Sequence, residues 1–200
     1  ARQEMYCWTS ESMDRADQLV DQPLGIVGDN ALLLATKGQI HWSKVNMLID
    51  PDERHLDLAA DCARRALAID ENEYLAIFVR GIVAGLRGDT VGALRDIYRA
   101  HQLRPGDPNV LTELCRFANC SGIDVDDYVK ELVAMDPLTP VTWCVVEYNH
   151  MEHGRIDDSA PAARRIVELA TGPSPAHIFA AIALAMTGMR EEAIELAATV

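Results

Sequence analysis

His150 and His153 stand three residues apart in His150-Met-Glu-His153. Two imidazoles at i and i+3 on a helix can share a face and approach one cation. A metalloprotease helix needs them at i and i+4, with a glutamate directly after the first. Spacing and order both differ here, so the pair reads as structural or exposed. His41, His55, His101 and His177 are isolated along the chain. Cys115 and Cys120 would face different sides of one helix, with Cys120 at its end, and both read as small apolar packing residues. No cysteine pair has C-x-x-C spacing, and no Cys-His or Ser-His-Asp arrangement is local in sequence. Gly81-Ile-Val-Ala-Gly85 lacks the Lys-Ser/Thr that completes a phosphate loop and reads as close helix packing. Asp50-Pro-Asp-Glu53 has the charge for weak cation binding. Asp124-Val-Asp-Asp127 reads as a helix N-cap with favourable first-turn charge. Neither has calcium-loop spacing. These residues predict a chain that is not an enzyme and carries no metal or cofactor.

The elements that hold these residues follow from composition. Of 200 residues, 49% are apolar and 24% charged, which excludes wholesale disorder. Asp and Glu number 31 against 18 Lys and Arg, a formal charge of −13, which argues against nucleic acid or an anionic membrane as partner. Ala, Leu, Glu, Asp and Arg dominate, favouring helices. Five irregularly spaced cysteines read as free thiols in the reducing cytoplasm. The longest apolar run, Ile178 to Met186, is too short to span a bilayer. The first residue is alanine rather than methionine, so we expect a piece of a longer protein.

The chain also repeats. Gly88, Gly122, Gly154 and Gly188 are spaced 34, 32 and 34 residues apart, each just before a helix-start pattern. Between them fall the breakers Arg104-Pro-Gly-Asp-Pro108, Asp136-Pro-Leu-Thr-Pro140 and Thr171-Gly-Pro-Ser-Pro175. Each period is helix, Gly turn, helix, Pro turn. Leu75, Ile77, Phe78, Ile82 and Leu86 have helical spacing. Gly81, Ala84, Ala93 and Ala100 are small where two backbones must approach. A single pair of this size cannot bury its apolar face, so neighbouring pairs must stack.

This pattern resembles the tetratricopeptide repeat (TPR) family, whose unit is about 34 residues. Tyr74 to Asp107 carries Gly81, Gly88, Ala93, Ala100 and Pro105 at the family's places. Residues 108–139 carry Leu111, Leu114, Ala118 and Gly122. Residues 140–173 carry Trp143 and Gly154, with Pro161 early in a second helix. Residues 174–200 carry Ala181, Gly188 and Ala193 and stop inside a second helix. Residues 31–73 match with an insertion near 46–55, and residues 1–30 form a degenerate unit in which Pro23 predicts a kink or early helix end. The resemblance implies an all-α, right-handed superhelical solenoid of antiparallel helix pairs, about 11–12 helices in one array. A fainter likeness is to the repeat regions of large bacterial regulators.

In this family the first helix of each pair lines a concave groove. The resemblance therefore implies a protein-interaction scaffold that binds a peptide or partner protein through Gln39, Trp42, Phe78, Arg116, Asn119, Tyr148 and Met151, with Ile178 and Ile182 on the last unit. Phe78, Ile82 and Ile178 have the alternative fate of ordinary core residues. The Lys and Asn with which some members clamp a chaperone tail are absent: those places hold Ala35, Gln39, Phe78, Ile82, Thr112, Arg116, Cys144 and Tyr148. The apolar C-terminal end predicts self-association. The second reading is a ligand-sensing regulatory domain that holds a small molecule or short peptide.

Overall fold

Among the residues this computed structural model describes (Glu4, 9–46, 49–170 and 176–199), the chain forms eleven helices and no strand. They fall into two compact units, residues 1–105 and 106–200. The first holds α1 (Ser10–Val27), α2 (Ala31–Asn46), α3 (Arg54–Ile69), α4 (Tyr74–Leu86) and α5 (Thr90–Leu103). The second holds α6 (Pro108–Cys120), α7 (Asp126–Met135), α8 (Pro140–Glu152), α9 (Ile156–Leu169), α10 (Ala176–Met186) and α11 (Arg190–Ala197).

Local chemistry sets the helix ends. Before α5 the Asp89 carboxylate accepts the Gly92 N–H at 2.8 Å, and before α6 Asp107 accepts the Asn109 N–H at 3.1 Å. Pro108 and Pro140 occupy first-turn positions, where a missing N–H leaves no bond unmade. Thr9 and Ser12 exchange capping bonds at 3.2 Å at the start of α1. Gly88, Gly122, Gly154 and Gly188 close four helix pairs with φ between 69° and 91°, a backbone region that L side chains rarely adopt.

Helix α1 runs through Pro23 to Val27 and ends at Gly28, so Pro23 does not bring the early helix end that was one of its two expected effects. Pro161 lies early in α9, in its second turn. The helix continues because Pro removes one N–H and its neighbours still bond.

In the first unit, α2 packs on α3, α4 packs on α5, and α2 also packs on α4. In the second, α6, α8 and α10 each pack on the helix that follows, and α8 packs on both α6 and α10. Within each unit, a first helix thus contacts both its own partner and a neighbouring first helix. Small residues permit the approach. A Cβ on Gly81 would lie 3.0 Å from Asp96 Cβ and from Ile97 Cγ1, so Gly81 lets α4 lie close on α5. This is the helix packing that the Gly81–Gly85 segment implied.

The cores follow from this arrangement. Met13, Ala16, Val20 and Ile40 form one cluster in the first unit. In the second, Ala163, Ile166, Ala176, Ala180, Ala183, Leu184 and Ala193 form a cluster between α9, α10 and α11, with Trp143, Cys144 and Met151 of α8 packed against it. Alanine dominates here because two helix backbones meet with little space between them.

Candidate functional site

The seven groove residues separate by burial. Phe78 is 0% exposed and Trp42 5%, and their rings meet edge-on with centroids 6.0 Å apart where α2 packs on α4. Gln39 and Asn119 are buried as well. These four side chains pack inside their own units and offer a partner no surface. The cause is the contact between successive first helices, which covers part of the stripe that the repeat positions mark as groove-facing.

Arg116, Tyr148 and Met151 keep part of their surface, and all three belong to the second unit. Arg116 lies over the Phe117 ring with its Cζ 4.3 Å from the centroid, and its Nε donates to Glu113 at 2.7 Å. The Tyr148 hydroxyl is 3.2 Å from Cys120 Sγ, which ties α8 to α6. The hydrogen bond to Cys120, burial and the nearby Glu152 carboxylate all push the phenol up, so Tyr148 is neutral near pH 7. Met151 packs against the α9–α10 cluster while keeping an outer edge.

Helix α10, which packs on α8, turns a bare apolar face outward: Ile178 is 50% exposed, Phe179 46%, Ile182 46% and Met186 52%. The helix buries Ala176, Ala180, Ala183 and Leu184 on its opposite side. A helix apolar all round is normally covered all round. Ile178 and Ile182 were expected here from repeat position, whereas Phe179 and Met186 were not. The signal available in the sequence was that Ala176–Met186 contains no Asp, Glu, Lys or Arg at all.

Glu147, missed by sequence reasoning, is the most unusual group in the unit. It is 1% exposed, its Oε2 has no hydrogen-bond partner, and burial alone pushes its carboxyl up to about 7. The Cys144 thiol, near Glu147, and the Cys115 thiol, near Glu131, are each pushed up to about 12, chiefly by burial, and are poor nucleophiles at neutral pH. Asp126 is held well below the usual carboxylate range by two bonds from Arg155, at 2.8 and 2.9 Å, and one from Asn149 at 2.8 Å. Asp126 therefore anchors an ion pair, a role the reading of its acidic cluster as cap and first-turn charge did not include.

The other clusters resolve in the same way. Asp52 accepts from Arg54, and Asp50 bonds His55 Nε2 at 3.0 Å, so the acidic turn is internally satisfied. His55 Nδ1 lies 3.0 Å from Nδ1 of the buried His41, which burial lowers to about 4. His153 Nδ1 is 2.9 Å from the Asn149 carbonyl oxygen, a local helix-end contact. Among the described residues no group of three His, Cys, Asp or Glu side chains is placed to hold a metal ion, and no helix is long and apolar enough to cross a membrane.

No family model and no curated protein matches the sequence. Solved structures do. TTC0263, a TPR protein of Thermus thermophilus, aligns at TM-score 0.69 and 14% identity over 92% of this chain and 96% of its own. The structure titled APC/C hetero-tetramer Cut9-Hcn1 aligns at 0.73 and 11% over 94% of this chain and 36% of its own. YrrB, described as a TPR protein with an unusual peptide-binding site, aligns at 0.55 and 14% over 90% of each chain. The chain therefore has a TPR-like fold of repeated helix pairs. Identities this low establish the fold and leave function to the site.

Proposed function

We propose that this protein is a non-catalytic protein-interaction scaffold, which takes a peptide or partner protein on the first-helix face of its second unit. The observation that carries the reading is the exposed apolar face of α10, the helix that packs on α8, which carries the half-buried Tyr148 and Met151. Aromatic, methionine and large aliphatic side chains are the types that anchor interfaces. Arg116 adds a cation on α6. The fold likeness to a protein described as having a peptide-binding site is consistent with this role. Of the buried four, Asn119 lies on α6 of the same unit, whereas Gln39, Trp42 and Phe78 belong to the packing of the first unit.

The test is affinity capture from a source lysate with the wild type and a Tyr148→Ala/Ile182→Ser double variant, each checked for helicity. A protein retained by the wild type and lost by the folded variant supports the reading. Equal retention by both moves the site off this face. Thermal stabilisation by a small molecule, abolished in the same variant, would instead favour the ligand-sensing reading.

A further inference from the structure

On the side of the second unit formed by the second helices, α9 and α11 flank an open cleft of about 480 Å³. Val167 and Leu196 line it, with Leu184 of α10 at its floor. Glu168, Glu192 and Glu195 line the same cleft, against a single cation, Arg164. Arg164 is 3.4 Å from Glu192, and Glu168 bonds Arg165 at 2.8 Å. No ion pair among the described residues engages Glu195. An apolar floor beneath a surplus of carboxylates is therefore the chemistry of this surface.

We propose that this cleft docks a cationic amphipathic segment of another protein, with apolar side chains on Val167 and Leu196 above the buried Leu184 and Lys or Arg on Glu168, Glu192 and Glu195. The occupant follows from charge. Residues 106–200 carry 15 Asp and Glu against 6 Lys and Arg, a net of −9 out of the chain's −13. A second copy of the chain would bring its own carboxylates against these and is disfavoured by like-charge repulsion. An anionic or neutral segment would strand Glu195 without a partner. The cleft is walled by α9 and α11 and takes only the buried Leu184 from α10, whereas Tyr148 lies on α8 and Ile182 on the exposed side of α10, so the two surfaces can be tested apart.

The probe is a synthetic amphipathic helix with leucines on one face and lysines along both edges, compared with a twin carrying glutamate for every lysine. Binding is read by fluorescence anisotropy at about 50 and about 300 mM NaCl. The lysine peptide binds, the glutamate twin does not, and added salt weakens the complex. Glu192→Gln/Glu195→Gln weakens it about fivefold to tenfold, as expected for two exposed ion pairs. Tyr148→Ala/Ile182→Ser leaves it unchanged, whatever that variant does to lysate capture. Asp124→Asn/Asp127→Asn, which removes charge elsewhere on the unit, is the control. An equal loss in that control shows diffuse attraction to an acidic surface and overturns the proposal. Equal binding of both peptides also overturns it. So does a concentration-dependent dimer in analytical ultracentrifugation that Leu196→Ser abolishes, since that would place a second copy in the cleft.

Discussion

Replacing Glu147 by glutamine should make the protein more stable, and by an amount that depends on pH. Glu147 is 1% exposed with an unpartnered Oε2, so ionising it inside the fold leaves a charge with neither water nor a counter-ion. Its carboxyl rises from the ordinary 4.5 to about 7. The folded-state value lies above the unfolded one, so the fold binds the proton more tightly. Below about pH 4.5 both states are protonated and there is no penalty. As pH rises toward 7 the unfolded chain ionises freely and the folded one does not, and stability falls until both are ionised. A shift of this size makes the penalty grow by about 2 to 3 kcal/mol between pH 5 and pH 8. Glutamine has the same shape and never ionises. Urea unfolding followed by circular dichroism, on wild type and Glu147→Gln at both pH values, isolates the effect, because every other titration cancels in the difference. We expect the variant's advantage to be under about 1 kcal/mol at pH 5 and to increase by about 2 to 3 kcal/mol at pH 8. The same difference at both pH values would falsify the reasoning, since Glu147 would then ionise equally easily in the folded and unfolded states.

Three further outcomes are expected. Asp126→Asn breaks a partly exposed bidentate pair with Arg155 and should cost about 1 kcal/mol near neutral pH in the same unfolding assay. Because the Asp126 carboxyl is depressed in the fold, that cost is present above about pH 4 and disappears as pH falls through the depressed value. Gly81→Ala should destabilise by about 1 to 3 kcal/mol, because the new methyl would sit 3.0 Å from Asp96 Cβ and Ile97 Cγ1. Gly25→Ala, in α1 with nothing within 4 Å of the new methyl, should stabilise by about 0.5 to 1 kcal/mol. Opposite signs for the two glycines in thermal melts would show that packing space, rather than helix propensity, decides at Gly81.

What could be read in the sequence was whatever depends on neighbours along the chain. The Gly turns and the Pro breakers around Pro108 and Pro140 act over a few residues, so the pattern of paired helices was visible without coordinates. Which groove positions keep a surface was decided by tertiary structure. Trp42 and Phe78 sit at the same kind of repeat position as Tyr148 and Ile182, yet α4 packs on α2 and covers the first two while the α10 face remains bare. The early helix end expected at Pro23 does not occur for a related reason: a lost N–H bond is tolerated when packing on one face, here Met13, Ala16 and Val20, holds the helix together. Glu147 looked like any glutamate on an amphipathic helix until the packing of α8 against α6, α9 and α10 buried it. The −13 charge was legible from composition, but gathering Glu168, Glu192 and Glu195 around Val167, Leu184 and Leu196 took the packing of α9 and α11 over α10, since residues separated by a helix and two turns become neighbours only when the pairs stack.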